Sequence, residues 1–139
     1  MSERKTEGLS ILAVDDNEMN LIILKNMFRQ ENYRVHYASS GRMALDMARE
    51  LHPDMILLDV FMHDIGGFEV CRQLKQEDCF RNIPVIFITA ADESDFLNSG
   101  FEAGGADYIT KPFRKEELLL CIRKHFGAES AGDQPVGLN

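Results

Sequence analysis

The sequence lacks any long apolar run. Its longest uncharged apolar stretch, residues 83–91, is far short of the ~18 residues that span a bilayer. The first residues, MSERKTEG, hold no apolar core of the kind a secretory signal needs. Basic residues are few: 15 Lys and Arg stand against 23 acids, a net charge of −8. That balance argues against nucleic acid as a direct ligand and against an anionic membrane surface, since both require a basic footprint. Cysteine is scarce and unpaired in pattern. Cys71, Cys79 and Cys121 form an odd count with no C-x-x-C pair. They read as reduced thiols of a cytosolic protein, placed on helices as small apolar side chains. Internal repeats and low-complexity segments are also missing.

What remains is the composition of one globular domain. The chain has 139 residues, 45% hydrophobic and 27% charged, and a chain of this length buries roughly 68% of its unfolded surface. Short apolar runs alternate with amphipathic ones. Strands are expected at residues 9–14, 33–38, 55–58, 83–88 and 106–109. Between and after them, apolar residues fall at three- and four-residue steps, the helical spacing. The first such segment carries Leu21, Leu24, Met27 and Phe28, with Asp16 or Asn17 as its cap. A second opens at Ser39-Ser40-Gly41 and closes at His52-Pro53. A third follows Gly66-Gly67, and a fourth covers residues 92–103. The fifth covers 116–126 and carries Leu118, Leu119, Ile122 and Phe126. Five strands and five helices in strict alternation imply an α/β fold, with a five-stranded parallel sheet and helices on both faces. Residues 1–8 are expected to be flexible, and 127–139 to be a disordered tail or a truncated linker.

In an open parallel sheet, ligands bind beyond the carboxyl ends of the strands. The first strand ends in Asp15-Asp16, the third in Asp59, the fourth in Thr89 and the fifth in Lys111-Pro112. Topology therefore gathers three carboxylates, a hydroxyl and an ammonium at one rim. Two unit charges about 4 Å apart repel by roughly 4 kcal/mol at an effective dielectric near 20. A hard divalent cation relieves this, and Mg²⁺ suits a few carboxylates plus water and phosphate oxygens. Such a rim suits phosphoryl transfer. A carboxylate can act as nucleophile and form an aspartyl phosphate, while the cation, the ammonium and the hydroxyl take the phosphoryl oxygens. Asp59 ends the central strand and is the best nucleophile. Two neighbours in chemistry fit less well. A flavin-binding domain would set a Ser/Thr/Gly phosphate cradle where Asp15-Asp16 stand. A haloacid-dehalogenase-like phosphatase would place a second Asp at position 61, which is Phe.

The stretches ILAVDDNEMN, PDMILLDVFM, GGFEVCRQLK, IPVIFITA and AGGADYITKPF carry a further signal. Asp16 and Asp59 lie 43 positions apart, Asp59 and Thr89 30, and Thr89 and Lys111 22. In these motifs, their order and their spacing, residues 9–126 resemble a two-component response regulator receiver domain. The resemblance implies a flavodoxin-like sheet order, 2-1-3-4-5, and a cis Lys111-Pro112 bond. It implies Asp59 as phosphoacceptor, Asp16 as a direct Mg²⁺ ligand, Asp15 as a ligand through water, and the Phe61 backbone carbonyl as another; Mn²⁺ is the alternative ion. Thr89 and Lys111 would contact the phosphoryl group, and Tyr108 would be the switch aromatic that packs inward when Thr89 moves. Implied partners are a sensor histidine kinase or histidine phosphotransfer domain, and an output domain, downstream protein or second copy on the 90–126 face. Such a domain is a bacterial, cytoplasmic signalling switch rather than an enzyme, and it stands alone or forms part of a hybrid kinase, cyclase or transcription factor. A receiver-like module that docks without phosphorylation is the competing reading, and the complete set of five rim residues weighs against it. Three departures stand out. His63 occupies a place where the family often has proline, and reads as a solvated loop residue or a pH-sensitive group at the rim. Gly66 replaces a frequent aspartate and is expected to loosen the loop. Phe61 and Ala91 offer no polar side chain to position a water, so acyl-phosphate hydrolysis is expected to be unassisted.

Overall fold

The computed structural model describes residues 8–90 and 101–133. Five strands form one parallel sheet. They are β1 (Ser10–Val14), β2 (Arg34–Ala38), β3 (Met55–Asp59), β4 (Val85–Ala90) and β5 (Asp107–Lys111). Their order is β2-β1-β3-β4-β5. The connecting helices are α1 (Glu18–Phe28), α2 (Gly41–Leu51) and α3 (Gly67–Lys75), and the last element is α4 (Lys115–Asp133). A single 3₁₀ turn, Asp78–Phe80, precedes β4.

Side chains alternate across a strand, so the continuous apolar runs of β1 and β3 supply two cores at once. Leu12, Val14, Ile56 and Leu58 meet α2 and α3 through Ala44, Leu45, Val70 and Leu74. Ile11, Ala13, Met55 and Leu57 meet α1 and α4 through Leu21, Leu24, Leu118 and Ile122. Burying each of the Leu, Ile, Val and Met side chains among these contributes roughly 1.5–3 kcal/mol. β2 is an edge strand, and its Arg34 is exposed while Val35, His36 and Tyr37 are half-buried. A solvated edge of this kind needs no continuous apolar run.

Helix starts follow their caps. Asn17 Oδ1 accepts the Asn20 N–H at 3.1 Å and opens α1. Ser40 Oγ accepts the Met43 N–H at 3.0 Å and opens α2. Asp64, from the loop after β3, accepts the Gly41 and Arg42 N–H groups at 2.9 Å each. These two bonds hold the Asp64 carboxyl down at about 2 and tie that loop to the start of α2.

Several expectations change in detail. β4 and β5 end two residues later than their apolar runs, because pairing continues through Thr89 with Thr110 and Ala90 with Lys111. Backbone pairing is indifferent to the polar side chains that end the hydrophobic pattern. The last helix does not stop at Phe126 but runs to Asp133. Ala128, Glu129 and Ala131 are good helix formers, and no proline intervenes before Pro135. Cys71 is buried as expected, but Cys79 is exposed in the 3₁₀ turn. Gly66, at the start of α3, has φ −68° and ψ 159°, an extended backbone that any residue adopts. The expected helix at 92–103 lies outside the described residues except at its end, where Phe101 and Glu102 are helical. Ala91 and the segment 134–139 also lie outside them.

Candidate functional site

The carboxyl edge of the sheet carries the chemistry. Asp15 follows β1 directly and is 1% exposed. Its Oδ1 accepts the Asn17 N–H at 2.9 Å, and its Oδ2 accepts Asn20 Nδ2–H at 3.1 Å and Lys111 Nζ–H at 3.2 Å. Asp16 is next, turned toward the loop after β3. Its Oδ2 accepts the His63 N–H at 2.8 Å and lies 2.5 Å from His63 Nδ1. Asp59 closes β3 and is 8% exposed. Its Oδ1 lies 3.3 Å from Lys111 Nζ. One carboxylate oxygen from each of Asp15, Asp16 and Asp59 falls within 4.8 Å of the others.

The electrostatics follow from this crowding. Burial pushes the Asp59 carboxyl up to about 6, and the Asp15 charge pushes it the same way. Lys111 pulls against both. Burial lowers the Lys111 ammonium, but Asp59 and Asp15 outweigh that and raise it overall. The ammonium bridges Asp15 and Asp59, so the ionised cluster of three acids and one lysine keeps two negative charges in excess. A donor set of three carboxylate oxygens, two of them on buried side chains, fits a hard divalent cation better than a soft one.

The sequence expectations fall into place unevenly. Asp15, Asp16, Asp59 and Lys111 meet as expected. Thr89 is 3% exposed, two strand positions beyond Phe87, and its hydroxyl lies 3.4 Å from the Ala90 carbonyl. Phe61 sits in the loop after β3 and is 51% exposed. Tyr108 lies three residues before Lys111, pairs with Phe87, and packs edge-on to Phe101 with ring centres 6.3 Å apart. Its 38% exposure places it outside the acidic cluster. The His63 side chain is 93% exposed, as a solvated loop residue would be, and it is bonded to Asp16 at the rim. The Lys111-Pro112 bond is cis. Two residues at the site are not singled out by the sequence. Asn20 steadies Asp15 from the first turn of α1, and Asp64 pins the loop. Their only signal was a polar side chain near a helix start.

A parallel sheet of this order, with an acid triad and a lysine beyond its strand ends, defines a class that the comparisons bear out. The sequence profile of the response regulator receiver domain matches residues 11–123. The chain belongs to the response regulator receiver domain family, the receiver domain of response regulators in two-component signalling. It is 43% identical over 113 residues to the response regulator PleD of Caulobacter vibrioides, a match spanning 81% of this chain and 25% of PleD. It is 36% identical over 122 residues to the polar-differentiation response regulator DivK of Brucella ovis, covering 85% of this chain and 96% of DivK. Among solved structures, it is similar to the receiver domain of a sensor histidine kinase from Pseudomonas aeruginosa, crystallised with a magnesium ion coordinated in the active-site cleft. That match has a TM-score of 0.80 at 30% identity and covers 86% of this chain and 98% of that one. Among the described residues, no helix is long and apolar enough to cross a membrane.

Proposed function

We propose that this domain is a phosphoacceptor switch whose reacting atom is an Asp59 carboxylate oxygen. The observation that carries the reading is the convergence of Asp15, Asp16 and Asp59 with Lys111 Nζ 3.3 Å from Asp59. Asp15, Asp16, Asp59 and the Phe61 carbonyl would hold Mg²⁺, or Mn²⁺ in its place. When bound, the ion neutralises charge on the carboxylates and on the incoming phosphoryl oxygens.

The chain's own groups do the rest. The ionised Asp59 oxygen attacks the phosphorus of a phosphohistidine, a P–O bond forms, and the P–N bond breaks with its electron pair left on the imidazole. Lys111 stays protonated and turns from Asp59 to a phosphoryl oxygen. Thr89 donates its hydroxyl hydrogen to another. The product carries roughly −1.5 to −2 charges and three acceptor oxygens. Movement of Thr89 lets Tyr108 leave Phe101 and turn inward, which shifts the 90–126 face between two pre-existing arrangements. The donor is a sensor histidine kinase or histidine phosphotransfer domain. The reader is an output domain, a downstream protein or a second copy of the chain, and the setting is the bacterial cytoplasm.

Incubation with a small acyl phosphate and Mg²⁺ tests this. The expected result is one phosphoryl group per chain, lost in Asp59→Asn and on chelation of the ion. Labelling that survives Asp59→Asn removes Asp59 from its role. No labelling at all in the intact chain supports a module that docks without phosphorylation.

A further inference from the structure

A second cluster of metal-ligating side chains stands away from the strand-end rim. Asp107 opens β5, and Cys121 and His125 lie one turn apart on the face of α4 that covers it. Asp107 Oδ2 is 3.0 Å from His125 Nε2 and 3.8 Å from Cys121 Sγ. One ligand atom from each of the three lies within 4.8 Å of the other two. Asp107 and His125 have side chains 21% and 18% exposed, and Cys121 is half-buried, so the cluster is sheltered but reachable.

We propose that Asp107, Cys121 and His125 form a transition-metal site that takes Zn²⁺. Zinc binds nitrogen at about 2.0–2.1 Å and thiolate sulfur at about 2.3 Å, so the edges of its tetrahedron run roughly 3.3–3.7 Å. The two measured separations bracket that range. The donor set is one thiolate, one imidazole and one carboxylate, which suits a borderline-soft ion and discriminates against Mg²⁺. The chemistry thus differs from that of the all-oxygen rim. The cluster borders a surface cavity of about 550 Å³ lined in part by Tyr108, Glu117 and Leu120, from which a water would complete the shell.

Two features oppose the ion, and both yield. Lys124 Nζ lies 3.3 Å from Asp107 Oδ2, but its side chain is 68% exposed and can swing into solvent. Cys121 is held as a thiol: burial pushes it up to about 11, and the Asp107 charge adds to this. Binding therefore displaces the Sγ proton to solvent as the S–Zn bond forms. Asp107 Oδ1 also accepts the Tyr108 N–H at 2.8 Å. An occupied site would fix the backbone at Tyr108 and join β5 to α4.

Co²⁺ replaces Zn²⁺ as a visible probe. The full chain, reduced and stripped of metal, is titrated with Co²⁺ in excess Mg²⁺, which fills the acidic rim. The expected result is one equivalent of tetrahedral Co²⁺ with a thiolate-to-cobalt charge-transfer band, bleached by one equivalent of Zn²⁺. Cys121→Ser should abolish the band, and His125→Gln should weaken binding at least tenfold, with far-UV circular dichroism unchanged in both. Asp59→Asn should leave the band intact. Absence of the band from the unaltered chain overturns the proposal. So does a band that survives Cys121→Ser, which would place the ion on the exposed Cys79, or one lost in Asp59→Asn.

Discussion

Asp59 carries a charge that the folded, ion-free domain holds at a cost. Its carboxyl titrates at about 6, against 3.8 for the free side chain, with burial first and Asp15 second among the causes. A folded-state value above the unfolded one means that the native chain binds the proton more tightly. The Asp59 contribution to stability is therefore most favourable below pH 4, falls between about 4 and 6, and is least favourable above 6. The charge penalty at pH 7 is on the order of 1–3 kcal/mol. Asp59→Asn keeps the shape and removes the charge. In chelator at pH 7 it should raise Tm, and the difference should vanish by pH 4. Added Mg²⁺ should raise the Tm of the unaltered chain more than that of the variant, and thermal melts over this grid of conditions check both statements. This residue was legible because Asp59 ends an apolar run. Asn20 and Asp64 were not, since a hydrogen bond between a helix start and a distant loop leaves no periodicity behind.

At the scale of elements, the turn into α3 is the sharpest case. Gly66 and Gly67 look alike in sequence, yet the structure separates them. A Cβ at Gly67 would lie 2.2 Å from the Asp59 carbonyl oxygen, and that oxygen is backbone that cannot give way. A Cβ at Gly66 meets only the Val60 carbonyl oxygen, at 3.4 Å. Gly66 is also the cap of α3 and supplies no side-chain bond to it. Gly66→Ser should therefore add about 0.5–1 kcal/mol, from the new cap and from a less free unfolded chain. Gly67→Ala should cost about 2 kcal/mol or more through a forced backbone shift. Urea unfolding of the two variants distinguishes them, and a loss in Gly66→Ser would contradict the cap geometry. Strand existence was readable from apolar runs alone. Strand ends were not, because the pairing of Ala90 with Lys111 continues after the apolar signal has stopped.

Across the whole molecule, the sheet separates two cores that share no side chain among the described residues. Ile56 belongs to the layer under α2 and α3, and Ile122 to the layer under α1 and α4. Each Ile→Val change should cost about 0.5–1.5 kcal/mol. The double variant should cost their sum to within about 0.5 kcal/mol, measured by urea unfolding, since the two side chains belong to different core clusters. A larger discrepancy would mean that the layers communicate through the sheet. The layer count and sheet direction followed from alternation and from doubly buried strands. The reach of α4 to Asp133 did not, because residues 127–133 carry no apolar stripe.

Asp15 has a consequence for timing. Its two oxygens already hold three donors, drawn from Asn17, Asn20 and Lys111. The floor of the rim is thus assembled before any cation arrives, and only the mouth, at Asp16 and Asp59, needs to adjust. Under the proposed function, ion entry and exit then run at the pace at which Mg²⁺ sheds its own hydration water. The Asp15 contacts need no rearrangement ahead of it, so that side of the rim is ready for the next donor as soon as the ion is seated.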